Sequence, residues 1–283
     1  MKLIDTTDDI LSAFKDRNFS LKTWENYAQT ISPDLISLCE TDSEKYPFQE
    51  MVQPVLTQVL ADKDRLVKLS QCFHTLTDEL QHRLPLLFPK GTDPELILYL
   101  GLCNGAGWMT KLNGRDVLLF GIEKIIELNW DNPDDLRGLI FHEIGHLWHK
   151  LCGNLEFPAV TSQERSLLQL WQEGIAMVCE QILCGNDQYY HQDKNGWLPW
   201  CLKHESLLKK EFGIRMDKEE STQDFFGDWC SFHGYSDTGY FLGCQFIRYL
   251  LKDYTLSEIA VLSKEKLFMK YHSFNQWGCC KSR

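Results

Sequence analysis

A short motif near the middle of the chain combines residue types that bind and use a metal ion. It reads His142-Glu143-Ile144-Gly145-His146. Histidines four residues apart lie one above the other on a helix, so both imidazoles can reach the same ion. Glu143 follows the first histidine and can point toward a water molecule on that ion. The spacing therefore predicts a helical metal site with a carboxylate that acts as a general base.

A catalytic zinc ion needs a third protein ligand and leaves its fourth position to water. The preferred candidate is Glu173, because it lies in an apolar stretch where a carboxylate requires a counter-charge. Glu180 lies seven residues later on the same helix face and is the alternative. Glu164 is explained instead as part of a helix cap. Three stacked histidines on one straight helix cannot all converge on one ion, so His149 is expected at the surface or in a supporting role around the metal ligands.

Two predicted helices must carry these ligands. The first begins at Asn132, an N-cap residue followed by proline, and ends near Gly153. The second begins at Thr161, where the sequence Thr-Ser-Gln-Glu matches a capping box, and continues to about Gly185. Both ligand motifs are thus predicted to lie in helices with defined ends.

Apolar and small residues surround both ligand motifs. Leu139 and Trp148 flank the histidines, which predicts a buried helix where uncoordinated histidines would be poorly tolerated. Gly174 and Ala176, beside Glu173, would allow the second helix to approach the first closely. The competing interpretation is a solvated face of a surface helix, and it explains these neighbours less well.

The expected fold class is α+β, mostly helical, with a small sheet beside the metal-binding helix. Residues 1–90 carry apolar residues at helical spacing and form the predicted N-terminal helical region. Residues 91–283 form the predicted catalytic domain. Within it we expect strands in 91–131, the metal-binding helices in 132–185 and a helical C-terminal part in 186–283, which begins with a polar loop.

Two apolar runs in the strand region, 95–100 and 116–122, predict paired strands. The glycine-rich stretch 101–107 between them matches neither standard nucleotide-binding pattern. We therefore interpret it as a turn or an open strand edge and not as a phosphate cradle. The segment 98–105 is expected to be the edge that pairs with an extended peptide.

Composition excludes several classes of function. The chain has 283 residues and a net charge of −11, without a basic cluster, which argues against nucleic-acid binding. No apolar stretch is long enough to span a membrane, and no export signal is visible. The eleven cysteines include no Cys-x-x-Cys pair, and Cys279-Cys280 is interpreted as incidental. We expect reduced thiols and a cytoplasmic protein.

The two ligand motifs together resemble those of the gluzincin metallopeptidases. Segment 171–176, Trp-Gln-Glu-Gly-Ile-Ala, is similar to the Trp-x-x-Glu-Gly-x-Ala stretch of their aminopeptidase branch, with one residue fewer after the tryptophan. The gap between His146 and Glu173 is longer than in those enzymes. The thermolysin branch places an aspartate four residues after the ligand glutamate, where this chain has Met177. The residue that supports His142 is therefore unidentified.

A group of predicted bacterial zinc-dependent proteases is more similar over most of the chain. The shared pattern comprises an N-terminal helical region, a glycine-rich strand pair, the two ligand helices and a late Gly-Tyr-x-x-Gly-Tyr-like segment, here 234–243. The resemblance implies a zincin-like fold and a zinc-dependent peptidase in which Glu143 activates water. It also implies a downstream donor to the oxyanion, for which Tyr235 is chosen ahead of His233 and Tyr240.

The resemblance implies a peptide or protein substrate as the partner, with no nucleic acid and no membrane. Aminopeptidase and endopeptidase activities both stay open, as does the oligomeric state. A related possibility is a cytosolic protease that cuts a repressor. The alternative from a different class is a zinc-containing regulatory or binding protein with little or no turnover.

Overall fold

The computed structural model describes residues 1–88, 92–154, 157–227 and 229–276. It is mostly helical (63%) with a four-stranded mixed sheet, which confirms the α+β class. The chain divides into two compact units, Met1–Glu143 and Ile144–Arg283. The boundary falls inside one continuous helix, Pro133–Cys152. The division into an N-terminal region and a catalytic domain at residue 90 stays a prediction.

The first unit contains the helices found before residue 90 and two that follow the sheet. Its helical elements are α1 (Thr7–Ala13), α2 (Leu21–Ile31), α3 (Pro33–Ser43), a π-helical turn (Phe48–Val52) that runs into α4 (Gln53–Ala61), α5 (Lys63–Arg83), a 3-10 turn (Leu84–Leu86), α6 (Ile122–Glu127) and the first half of α7 (Pro133–Cys152). The apolar positions predicted to line the longest of these helices, among them Leu69, Phe73 and Leu80, are buried in α5.

The sheet of the first unit contains strands from both ends of its sequence. They are β1 (Lys2–Asp5), β2 (Glu95–Tyr99), β3 (Gly107–Leu112) and β4 (Arg115–Gly121). Their order is β1-β2-β4-β3, with β1, β2 and β4 parallel and β3 antiparallel to β4. A tight turn at Asn113 and Gly114, both with positive φ, joins β3 to β4. Among the described residues, β3 pairs with one strand alone and forms an edge.

Two expectations about this sheet are wrong. Residues 1–90 are not entirely helical, because Lys2 pairs with Glu95 at the start of β1 and β2. Segment 98–105 is not an edge strand either, since β2 lies between β1 and β4 and the chain leaves the sheet after Tyr99. Among the described residues the two edges of the sheet are β1 and β3, and β3 was not expected as a strand. That strand was missed because its side chains are mostly half-buried and form no apolar run.

Hydrogen bonds from buried aromatic residues fasten the N-terminal helices to the end of β2. The indole of Trp24 donates to the carbonyl oxygen of Leu100 at 2.9 Å. The N–H of the same leucine donates to the hydroxyl of Tyr27, also at 2.9 Å. Both polar groups of the Leu100 backbone are therefore satisfied by α2 at the point where the sheet ends and the glycine-rich loop begins.

The second unit is helical throughout its described elements. These are the second half of α7, then α8 (Ser162–Cys184), α9 (Trp197–Lys203), α10 (Glu205–Asp217), a 3-10 turn (Gln223–Phe225), α11 (Thr238–Leu250), α12 (Leu256–Ile259) and α13 (Lys264–Gln276). The sequence predicts a polar loop over 186–200, but the loop is shorter because α9 begins at Trp197. The sequence predicts one helix over 256–272, but the structure divides this segment between α12 and α13, and α10 was not expected.

Glycines set two close helix contacts in the second unit. A Cβ atom on Gly145 of α7 would lie 2.7 Å from the Cα atom of Ala176 in α8, so these backbones touch. A Cβ atom on Gly174 would lie 2.3 Å from the carbonyl oxygen of Gly243 in α11. The expected role of Ala176 in the approach to α7 is confirmed. For Gly174 the predicted partner helix, α7, was wrong, because this glycine lies against α11.

Two further features agree with expectations from composition. Nine cysteines lie in the described part of the chain, and none of them forms a disulfide. Cys279 and Cys280 lie outside the described residues. Among those described residues, no helix is both long enough and apolar enough to cross a membrane. The cytoplasmic location stays a prediction.

Candidate metal centre

The His-Glu-x-x-His motif lies in the middle of α7, as its spacing predicted. The side chain of Asn132 accepts hydrogen bonds from the N–H groups of Asp134 and Asp135 and so caps the helix at its start. His142 and Glu143 are only 3% and 4% exposed. The competing interpretation of a solvated surface face is therefore wrong.

Helix α8 carries the candidate third ligands. Its N-terminus has the predicted capping box, in which the hydroxyl of Thr161 accepts the N–H of Glu164 and the Glu164 carboxylate accepts the N–H of Thr161. It ends at Gly185 in the left-handed conformation, as expected for a helix stop. The 2.6 Å ion pair with Lys264, together with hydrogen bonds from backbone N–H groups, lowers the pKa of Glu164 to about 2.

The structure brings His146 and Glu173 together. Their Nε2 and Oε2 atoms lie 3.3 Å apart, and each side chain is 15% exposed. With His142 they form a group whose candidate ligand atoms all lie within 4.8 Å of one another. These are the three residues that the sequence predicted as metal ligands, with Glu173 as the preferred glutamate, and their role as ligands stays a prediction.

The donor set and its spacing can be tested against zinc. Imidazole nitrogens and a carboxylate oxygen are ordinary ligands for Zn²⁺, which binds them at about 2.0–2.1 Å in tetrahedral geometry. Two such ligands are then about 3.3 Å apart. The 3.3 Å between His146 and Glu173 agrees with that separation. The residues present are therefore compatible with a zinc ion, and no thiolate is needed.

A second group of possible ligands also includes His142. Its other members are Glu180 and His191, and all three are buried. One carboxylate oxygen of Glu180 accepts the backbone N–H of His191 at 3.2 Å, and the other lies 3.0 Å from the Nδ1 atom of its imidazole. Sequence reasoning named Glu180 but missed His191. The available signal was a lone histidine in the polar loop after α8, but no periodicity predicts where a loop turns.

The general base predicted for the site, Glu143, lies against the sheet of the first unit. A Cβ atom on Gly107, the first residue of β3, would be 2.6 Å from the Cγ atom of Glu143 and 2.8 Å from its Oε1 atom. Only glycine leaves room for the glutamate side chain in this position. The edge strand β3 and the predicted general base are thus neighbours.

His149 differs from its expected surface position. It is completely buried, and its ring lies edge-on to Trp171 with 4.4 Å between centroids. Burial, reinforced by the nearby His146, lowers the pKa of His149 to about 3, so the imidazole is neutral at pH 7. His149 belongs to neither group of possible ligands. Of the two positions expected for His149, its burial excludes the one at the surface.

The three candidate oxyanion donors lie near the start of α11. Tyr235 is half-buried and stacks on Trp200 with 4.5 Å between ring centroids. His233 is exposed, with a positive φ in the turn before Gly234, and Tyr240 contacts Phe226 edge-on. The choice of Tyr235 among these three residues stays a prediction.

The glycine-rich loop 101–106 is not an open anion site. The N–H groups of Gly101 and Cys103 donate to the carboxylate of Glu123 at 2.8 and 3.1 Å. Burial raises the pKa of this completely buried carboxyl to about 7. The loop therefore uses its donors on a side chain of the protein itself, which supports the rejection of a phosphate cradle.

Comparisons with known proteins identified no relative of this chain. No protein-family model matches the chain, and neither does any curated protein or any solved structure. The site has to be interpreted from its own residues.

Proposed function

We propose that the protein is a zinc-dependent peptidase with a gluzincin-like site on a zincin-like fold. The observation that carries the proposal is the group His142, His146 and Glu173, whose possible ligand atoms lie within 4.8 Å of one another. Two imidazoles and one carboxylate form a typical catalytic zinc set, which leaves one position for water.

The three ligands and the neighbouring glutamate have separate roles in this proposal. Zinc held by His142, His146 and Glu173 would act as a Lewis acid and make water a stronger nucleophile at neutral pH. Glu143 takes the proton from the water that attacks the peptide carbonyl. It then gives that proton to the departing amine, so the products are a carboxylic acid and a free amine.

The substrate is proposed to be an extended peptide that pairs with β3. An edge strand offers unpaired backbone N–H and C=O groups to a partner strand. Because Gly107 at the start of β3 lies against Glu143, a peptide added to this edge would pass close to the general base. Tyr235 is the proposed donor to the oxyanion, and its stacking on Trp200 would fix the orientation of its ring.

A zinc-binding protein without turnover is the second candidate. The exposures of His142 and Glu143, 3% and 4%, favour it because a buried site restricts the entry of a substrate. A structural zinc site has no use for a general base, however. The role of Glu143 therefore separates the two candidates.

Digestion of a broad peptide library, read by mass spectrometry, tests the proposal. The zinc-loaded wild-type protein should cut peptides, and the pattern of cleavage sites separates an aminopeptidase from an endopeptidase. Glu143→Gln should keep the zinc and lose about 10²–10⁴-fold in rate, because a general base contributes this much. Wild-type activity in that variant would refute the mechanism. A zinc-loaded wild-type protein that cuts nothing would favour the second candidate.

A further inference from the structure

Glu180 and His191 form a buried pair to which the proposed peptidase mechanism assigns no role. Glu180 is completely buried in α8, and His191 is 3% exposed in the loop that follows. Burial of a charged carboxylate away from solvent costs free energy unless hydrogen bonds and an opposite charge compensate it. Here one histidine supplies two hydrogen-bond donors, one from its backbone and one from its ring.

The two groups of possible ligands have one residue in common. His142 is grouped with His146 and Glu173, and also with Glu180 and His191. An imidazole has two ring nitrogens, and a metal ion occupies only one of them. A histidine that binds a metal commonly directs its other nitrogen to a carboxylate, which fixes the tautomer and the ring orientation. Glu180 is a carboxylate in a suitable place for that task.

The hydrogen bonds of Glu180 favour this task over direct metal binding. Both of its carboxylate oxygens already accept hydrogen bonds from His191, at 3.2 and 3.0 Å. Glu173 in the other group lies 3.3 Å from His146, the separation of two ligands on one zinc ion. One glutamate of α8 thus has the geometry of a ligand, and the other has that of a hydrogen-bonded support.

We propose that Glu180 and His191 are positioning residues, which orient the imidazole of His142 for metal binding. Glu180 would accept a hydrogen bond from the ring nitrogen of His142 that does not bind the metal, and His191 holds the Glu180 carboxylate in place. This arrangement would supply the support for the first histidine that Met177 cannot provide. The proposal rests on the zinc site of the proposed function, but it does not require that the site cleaves peptides.

The test measures zinc affinity and ligand geometry in Glu180→Gln, which keeps the shape of the side chain and removes its charge. Zinc affinity is read by competition with a chromogenic chelator, and geometry by the visible absorption of the cobalt-substituted protein. Glu180→Gln should bind zinc about 10- to 100-fold more weakly, with an altered cobalt spectrum and unchanged stoichiometry. Glu123→Gln is the matched control, since Glu123 is another completely buried glutamate, and it should keep the wild-type affinity.

His191→Gln provides a second variant in case Glu180→Gln does not fold. It should weaken zinc binding and alter the cobalt spectrum in the same direction, by a smaller factor, because it removes only the ring that holds Glu180. A general loss of packing would lower the thermal stability of each variant and leave the cobalt spectrum of the folded fraction unchanged.

Two results would overturn the positioning role. One is wild-type zinc affinity and a wild-type cobalt spectrum in a folded Glu180→Gln or His191→Gln variant. The other is loss of zinc in Glu180→Ala while Glu173→Ala keeps it, which would make Glu180 a ligand. The proposed function fails differently, through a wild-type protein that binds zinc without peptidase activity, and that result leaves the positioning role in place.

Discussion

Glu123 in the first unit and Glu180 in the second are both completely buried, yet their partners differ in kind. Glu123 accepts hydrogen bonds from two backbone N–H groups, those of Gly101 and Cys103. Glu180 accepts hydrogen bonds from the backbone and the imidazole of His191. The first carboxylate fixes the path of a loop, whereas the second lies among residues that can bind a metal ion.

The difference shows that burial of an acid does not by itself indicate a metal site. Backbone N–H groups can only donate hydrogen bonds, so the surroundings of Glu123 serve the loop that leads to β3. Imidazoles can donate a hydrogen bond or bind a cation. We therefore expect zinc to stabilise the folded protein through the region of Glu173 and Glu180. We expect a change of pH to alter its stability through Glu123.

The largest expected effect is the stabilisation of the folded protein by zinc. At free zinc about 1,000-fold above the dissociation constant, the free energy of unfolding should rise by about 4 kcal/mol. Glu123→Gln should gain the same amount, because its carboxylate lies outside both groups of possible ligands. His146→Ala should gain almost nothing. Urea unfolding with zinc and with a chelator measures these increases in unfolding free energy. An equal increase in His146→Ala would show that zinc does not act through the predicted ligands.

The next effect is a pH dependence that belongs to Glu123. Its pKa is raised from 4.5 in the unfolded chain to about 7 by burial, so the unfolded state loses this proton at lower pH. The contribution of the Glu123 carboxyl group to the free energy of unfolding is fully present below pH 4.5 and is lost as the pH rises through 7. The loss amounts to about 3 kcal/mol. Unfolding free energies measured from pH 4.5 to pH 8 should fall more steeply in the wild type than in Glu123→Gln, and parallel curves would contradict this role.

A third prediction concerns the contact between the edge strand β3 and Glu143, the proposed general base. Gly107→Ala should displace the Glu143 side chain, because the new Cβ atom would lie 2.6 Å from its Cγ atom. A misplaced catalytic group of this kind costs about 100-fold in rate, so kcat/KM should fall by that factor with zinc affinity unchanged. Gly105→Ala is the matched control, since its nearest contact would be an ordinary 3.4 Å. Equal kinetics in the two variants would show that β3 does not constrain Glu143.

The smallest predicted effect is at the start of α8. Thr161→Ala should lower the free energy of unfolding by about 1 kcal/mol, because the N-cap hydroxyl accepts the N–H of Glu164. Zinc affinity should stay at the wild-type value, since the cap lies three helical turns before Glu173. Chemical unfolding and zinc titration of the same preparation measure both quantities. A large loss of zinc would mean that the helix start controls the site.

Local patterns predicted the two ligand helices well. The N-cap at Asn132, the capping box at Thr161 and the stop at Gly185 each depend on residues within one helical turn, and all are confirmed. The grouping of His142, His146 and Glu173 followed from the rule that residues four apart share a helix face, together with the isolated acid in an apolar stretch.

Features that depend on distant residues were missed or assigned to the wrong partner. Strand β1 pairs with a strand some ninety residues later, and its four residues contain no period that reveals this. His191 reaches Glu180 through a loop whose path has no sequence signature. Gly174 was correctly expected to admit a helix, but composition alone could not identify that helix as α11.

The zinc content of the purified protein and of two α8 variants tests the central claim most directly. The wild type and Glu164→Ala should each hold about one zinc ion per chain, because Glu164 caps the helix and is not a ligand. Glu173→Ala, on the same helix, should hold none after dialysis against a weak chelator. A folded wild-type protein that binds no zinc, or a Glu173→Ala variant that keeps one ion at wild-type affinity, would contradict the account.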